Sequence, residues 1–193
     1  MNFIFDVGNV LVEYMPFVYL RGLFADESVV EKMHATVFRS PEWIQMDEGL
    51  LFHKEAIDII CEREPEFGSE VCQVFQRIYE MFIPKSETIE LLPKIKELGH
   101  DIYYLSNIHM EIRDFLLKNH DYFDMFDGGV FSCDINQIKP SPEIYRHFLE
   151  KYKLDPVDCV FFDDMEENVS AAEKEGIKGV LFTTADCVSG FLS

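Results

Sequence analysis

Four short apolar runs, each ending in a polar or acidic residue, constrain the fold of this chain more than any other feature. They occupy residues 3–6 (FIFD), 102–107 (IYYLSN), 129–132 (GVFS) and 159–164 (CVFFDD), and a fifth run, GVLF, lies at 179–182. Such short runs, rich in β-branched and aromatic residues, read as strands buried on both faces. From residue 86 onward, segments of helical period separate them: 87–98, 110–119, 142–152 and 166–175. Strand alternating with helix predicts an α/β, Rossmann-like fold: a mostly parallel sheet flanked by helices.

Residues 14–85 break the alternation. Four helical segments follow one another there, 17–24, 28–38, 53–63 and 69–82, punctuated by Pro16, Pro41, Gly49, Pro65, Gly68 and Pro84. The pattern predicts an all-helical cap at 14–85 inserted into a core domain made of 1–13 and 86–193. Within the cap, WIQMDEG (43–49) is expected as an interhelical loop, with Trp43 packed in the cap core and Asp47 or Glu48 able to reach a substrate hydroxyl.

Composition narrows the partners. With 36 acidic against 17 basic residues the formal charge is −19, and binding to phosphate backbones or anionic membranes needs clustered Lys and Arg that the chain does not have. No nucleic-acid or membrane partner is expected; a monomer or small homo-oligomer is. Five cysteines, Cys61, Cys72, Cys133, Cys159 and Cys187, form no C-x-x-C pair, which suits a reducing, cytoplasmic setting. The apolar N-terminus lacks a basic n-region and carries Asp6 inside the run, so it reads as a buried strand rather than a signal peptide. No stretch reaches the ~18 uninterrupted apolar residues of a membrane span. The 18 phenylalanines read as core filling.

Ligands of open parallel sheets bind beyond the carboxyl ends of the strands, so the polar residues there are the candidates. Asp6 ends the first run and opens into Val7-Gly8-Asn9. A carboxylate buried beside Phe3 and Phe5 needs a cation or a catalytic reason to be there; the plainer alternative is a turn aspartate. Asp163 and Asp164 end another strand, and three carboxylates at one sheet edge call for a hard cation. An oxygen-only donor set suits Mg²⁺ better than zinc. One of the pair could instead cap the following helix. Ser106 and Asn107, at a strand end ahead of a helix, form an anion site or an ordinary helix start. Lys139, in QIKPSPEIY, offers a cation to a phosphate and to Asp6, or is a solvated loop lysine.

Taken together, FDVGNVL at Asp6, LSN at Ser106, KPSPEIY at Lys139 and FFDDMEENV at Asp163 resemble the four ordered motifs of the haloacid dehalogenase superfamily. The match covers nearly the whole chain, and the D-x-G-N-V opening is similar to the small phosphatase-like members with a helical cap. The resemblance implies a hydrolase of phosphomonoesters, with a small phosphorylated metabolite, sugar phosphates preferred, as substrate. It implies Asp6 as nucleophile forming an aspartyl-phosphate, Ser106, Asn107 and Lys139 holding the phosphoryl group, and Mg²⁺ on Asp6, the Gly8 carbonyl and Asp164. Asp163 would contribute directly or through water, and Glu167 and Asn168 would support.

One departure matters. Typical phosphatases of this superfamily carry a second Asp two residues after the nucleophile, as acid and base; here Gly8 occupies that position. His109, Glu13 or Tyr14 could substitute. Gly8 also admits two other readings of the same fold: a haloacid dehalogenase, which needs no leaving-group acid but needs a cationic halide cradle for which Arg21 and Arg39 are the candidates, or a non-catalytic phosphate- or metal-binding protein.

Overall fold

A computed structural model of the chain describes residues 1–192. Its five strands, β1 (Asn2–Phe5), β2 (Asp101–Ser106), β3 (Gly128–Phe131), β4 (Cys159–Asp163) and β5 (Lys178–Leu181), are those the apolar runs predict. They form one parallel sheet in the order β3-β2-β1-β4-β5. β1 is central because β2 and β3 extend from it on one side and β4 and β5 on the other. The strand order therefore reverses between β1 and β4, which is where α/β sheets open a crevice for ligands.

Alternation along the strands sorts the core into two halves. Phe3, Phe5 and Phe162 face one layer, with Phe5 and Phe162 stacked at 5.3 Å between ring centroids; Ile4 and Phe161 face the other, against Ile144, Tyr145 and Phe148. Each fully buried Phe contributes about 1.5–3 kcal/mol, and Phe3, Phe5, Phe131, Phe161 and Phe162 are fully buried on the strands.

The chain between β1 and β2 holds helices and two isolated bridges. The helices are α1 (Pro16–Leu23), α2 (Glu27–Met33), α3 (Pro41–Asp47), α4 (His53–Arg63), α5 (Gly68–Arg77), α6 (Ser86–Ile89) and α7 (Leu92–Glu97). A π-helical segment, His34–Phe38, extends α2, and a 3-10 turn, Ile78–Met81, follows α5. The remaining helices are α8 (Met110–Asn119), α9 (Ser132–Ile135), α10 (Pro142–Tyr152), α11 (Glu166–Lys174) and α12 (Asp186–Ser189). The two crossings between core and helical insertion run side by side: Glu13 N–H donates to the Ile83 carbonyl at 2.8 Å and Lys85 N–H to the Leu11 carbonyl at 2.8 Å.

Two segments differ from the sequence expectation. Residues 41–47 form α3 rather than a loop, because Ser40 caps it by accepting from Trp43 N–H at 3.1 Å and Pro41 supplies a preset first helical residue. The segment 87–98 is two helices, since Pro93 lacks an N–H and crowds the preceding turn.

The C-terminus of α3 is fastened to the core. Ser132 Oγ donates to the Asp47 carbonyl at 2.5 Å, Asn136 Nδ2 donates to the Glu48 carbonyl at 2.7 Å, and Gly49 (φ +69°) lies so close to the Cys133 backbone that an added Cβ would sit 2.3 Å from its carbonyl oxygen. Gly49→Ala is therefore expected to destabilise the protein by about 1–3 kcal/mol, through backbone strain and a contact that no side-chain rotation relieves. The check is a lower urea midpoint at unchanged m-value.

Candidate active site

The carboxyl ends of β1, β2 and β4 meet at a cavity of about 450 Å³, and the residues that line it include Asp6, Gly8, Asn9, Ser106, Asn107, Lys139, Asp164 and Asn168. Its floor is built on one buried cation. Lys139 Nζ lies 2.9 Å from Asp6 Oδ1 and 2.6 Å from Asp163 Oδ2, and the lysine is only 3 % exposed. Burial alone would lower the ammonium pKa, but the two carboxylates hold it above its ordinary value.

The lysine is aimed by Asn107, whose side chain donates to the Lys139 carbonyl at 2.9 Å and accepts from the Lys139 N–H at 2.8 Å. This reciprocal pair fixes the loop ahead of α10 against the end of β2. The Asn107 amide is thus engaged with the Lys139 backbone.

Asp163 is fully buried and its oxygens are well used. Oδ1 accepts from Met165 N–H at 2.8 Å, and Asn168 Nδ2 reaches both oxygens, at 3.0 and 3.1 Å. It thereby both ties down the start of α11 and anchors Lys139. Asp164 points differently: its Oδ2 accepts from Asn9 Nδ2 at 2.7 Å. Asn9 can serve because it adopts a left-handed conformation (φ 55°), which Asn tolerates, and its Oδ1 accepts from Tyr14 N–H at 2.9 Å.

Three carboxylates, Asp6, Asp163 and Asp164, each place an oxygen within 4.8 Å of the others. Burial pushes Asp6 up to about 7; Lys139 pulls it down, Asp163 pushes it further up, and the Ser106 hydroxyl favours the charged form. Burial also raises Asp164, against its bond from Asn9. One ammonium cannot neutralise three ionised carboxylates, so full ionisation of the floor calls for further positive charge.

The cavity's upper wall comes from the helical insertion and the start of α8. Tyr14, Trp43, Phe82, Ile108 and Ile112 make it largely apolar, and Asp47 and His109 are its polar members. Burial, then the Asp6 charge, pushes the Asp47 carboxyl up to about 8. His109 is held well below the ordinary imidazole value by burial and by His53, so its ring is neutral.

Of the sequence candidates, the structure brings Asp6, Gly8, Ser106, Asn107, Lys139, Asp164, Tyr14, Asp47, His109 and Asn168 to this cavity, with Asp163 beneath it. Glu13, Glu48, Arg21, Arg39 and Glu167 do not line it. Arg21 is paired with Glu27 on the surface, and Glu167 is exposed on α11. Sequence reasoning missed Ser132 and the positioning roles of Asn9 and Asn107. Asn9 was findable, since Asn in a turn tolerates the left-handed conformation; the others join residues far apart in sequence.

Residues 1–176 match the family model of the haloacid dehalogenase-like hydrolases, and the chain belongs to that family. Among characterised relatives, the chain is 29% identical over 180 residues to the sesquiterpene phosphatase astK of Aspergillus oryzae, covering 93% of this chain and 88% of that one. It is 26% identical over 182 residues to a phosphorylated carbohydrates phosphatase of Thermotoga maritima, covering 92% and 82%. A haloacid dehalogenase family enzyme of Bacteroides thetaiotaomicron, solved with magnesium and inorganic phosphate, superposes with a TM-score of 0.74 at 22% identity, over 95% of this chain and 94% of that one. No helix among the described residues is long and apolar enough to cross a membrane.

Lys139→Met is expected to leave Asp6 and Asp163 buried without their cation. A loss of about 3–5 kcal/mol of stability should follow, read by chemical denaturation at neutral pH.

Proposed function

We propose that this protein is a Mg²⁺-dependent phosphomonoester hydrolase that acts on a small phosphorylated metabolite through an aspartyl-phosphate on Asp6. The observation that carries the proposal is the Asp6 carboxylate at the end of the central strand, bonded to Lys139 and sharing a cavity with Ser106 and Asp164. The named phosphatases among its relatives support the same reading.

The donor set fits the metal. All candidate donors are oxygens, those of the three carboxylates converge within 4.8 Å, and their mutual repulsion when ionised is what a hard divalent cation offsets. Asp6, Asp164 and the Gly8 carbonyl would hold it directly. Asp163, already engaged by Lys139, Met165 and Asn168, would act on it through water. When bound, the ion would screen the anionic nucleophile from the anionic substrate.

The protein's own residues do the rest. Asp6 Oδ1 accepts from Val7 N–H at 2.7 Å and from Lys139, so Oδ2 is the oxygen free to attack phosphorus. Lys139 and Ser106 hold the phosphoryl oxygens as charge builds on them, and the Asn107 amide keeps Lys139 in place. Residues 14–85 serve as the cap, excluding water and selecting the substrate body.

Sugar phosphates are the substrates the family resemblance favours. The aromatic and aliphatic wall of Tyr14, Trp43, Phe82, Ile108 and Ile112 favours a second reading, a monophosphate with an apolar organic body. A halide-releasing reaction is disfavoured, because neither Arg21 nor Arg39 lines the cavity.

Phosphate release from a panel of sugar, prenyl-type alkyl and aryl monophosphates, with and without Mg²⁺, tests both readings. Asp6→Asn should reduce turnover by on the order of 10³-fold or more. Calorimetric titration with Mg²⁺ should show Asp164→Asn weakening binding about 10-fold or more, independently of turnover. Phosphate release that ignores both metal and the Asp6 substitution would overturn the proposal.

A further inference from the structure

The hydrolysis proposed above needs a proton for the leaving oxygen, and position 8 cannot give one. The corner beside Gly8 is open: an added Cβ there would meet only Tyr14 Cβ, at 3.7 Å. Another carboxyl group shares the cavity. We propose that Asp47, at the C-terminus of α3, is the catalytic acid and base of that reaction, and that His109 positions it.

Three observations carry the inference, which rests on the phosphatase reading. First, Asp47 lines the same cavity as Asp6 and Lys139, on the wall that the helical insertion contributes. Apart from His109, the upper wall around it is aromatic and aliphatic, and such surroundings favour a carboxyl group that keeps its proton until a developing alkoxide takes it.

Second, Asp47 is held by the core although it belongs to the helical insertion. Its carbonyl accepts from Ser132 Oγ at 2.5 Å, and the same Oγ accepts from Ile108 N–H at 2.9 Å. With Gly49 seated on the Cys133 backbone, α3 ends at a fixed point above the cavity. That placement is what a group needs to meet a leaving oxygen repeatedly in one geometry.

Third, a buried chain of polar groups converges on it. His109 is 1 % exposed, and its Nε2 has no hydrogen-bond partner among the described residues. Its carboxylate neighbour is Asp47, Oδ1 lying 3.4 Å away. The other ring nitrogen, Nδ1, is 3.1 Å from His53 Nε2, and His53 in turn is bracketed by Glu111, whose Oε1 accepts from the His53 backbone N–H at 2.6 Å and whose Oε2 lies 3.8 Å from His53 Nε2. A buried nitrogen left unpaired in a cavity wall is costly. Orienting the Asp47 carboxyl, or a water or ligand atom beside it, accounts for that cost.

The proton balance closes. As Asp6 Oδ2 bonds to phosphorus and the ester P–O bond breaks, Asp47 gives its proton to the departing oxygen, releasing an alcohol. The Asp47 carboxylate then takes a proton from the water that attacks the aspartyl-phosphate. The P–O bond to Asp6 breaks, inorganic phosphate leaves, and both carboxyl groups return to their starting states.

The experiment compares wild type, Asp47→Asn and the double variant Gly8→Asp/Asp47→Asn on an alkyl monophosphate and on nitrophenyl phosphate, whose leaving group needs no acid. Asp47→Asn should cut alkyl turnover by on the order of 10²–10⁴-fold. With the aryl ester it should still give a rapid stoichiometric burst of nitrophenolate and accumulate phosphorylated enzyme, because the second step has lost its base. Gly8→Asp in the same chain should restore alkyl turnover. His109→Gln should lower kcat on the alkyl ester more than on the aryl ester, with KM little changed. Equal losses on both esters, without accumulation of phosphorylated enzyme and without rescue by Gly8→Asp, would overturn the assignment of Asp47 and leave the phosphatase reading standing. A wild type that releases phosphate from neither ester would remove both.

Discussion

Everything at this sheet edge depends on one ammonium group buried between two carboxylates. Lys139 Nζ bridges Asp6, the residue after β1, and Asp163 at the end of β4, the two neighbouring strands between which the strand order reverses. A charge that deep costs several kcal/mol to desolvate and is tolerated only with close, hydrogen-bonded partners. The surrounding structure meets that condition from three sides: Asn107 clamps the lysine backbone, Asn168 and the Met165 N–H saturate Asp163, and Val7 N–H holds Asp6. Each of these groups comes from a different segment. The ion triad therefore acts as a register mark for the fold as well as the floor of the cavity.

The same reasoning explains why the helical insertion is not loosely tethered. Its entry and exit strands bond to each other through Glu13, Ile83, Leu11 and Lys85, and its third helix ends on the β3–α9 segment through Ser132 and Asn136. A cavity roofed by such an insertion keeps its wall residues at fixed distances from the floor. Trp43 illustrates this: its ring lies 4.3 Å from that of His109 on the core and 4.6 Å from Phe38 within the insertion, so one side chain welds the two layers.

How much of this was legible follows from the range of each interaction. The strands were readable because an apolar run ending in Asp or Ser is a local signal, and Asp6, Ser106, Asp163 and Asp164 fall where those runs stop. Lys139 and its pairing with Asp6 were readable by the motif, but the Asn107 clamp that aims it was not, since Asn107 lies 32 residues away. α3 was misread as a loop because its apolar positions are few and its determinants, Ser40 and Pro41, precede it; Glu42 in its first turn is buried only by virtue of a two-point bond from Arg63 on α4. Ser132 was silent for the same reason: a serine ending a strand reads as a turn residue, and nothing local shows that it bonds a carbonyl 85 residues earlier.

The cavity divides its labour by chemistry. On the phosphatase reading its floor would recognise charge: Lys139 and Ser106 would meet the phosphoryl group and be indifferent to what that group is attached to. Discrimination between esters would then fall to the wall, where Tyr14, Trp43, Phe82, Ile108 and Ile112 offer apolar surface worth about 25 cal/mol per Å² buried and few polar groups to pair with hydroxyls. A body rich in hydroxyls would leave its own groups unpaired against that wall, a penalty larger than the gain from an added methylene. An apolar body incurs no such penalty and converts its burial into positioning of the phosphorus over Asp6. On the second reading proposed above, the wall would select substrates by what they lack.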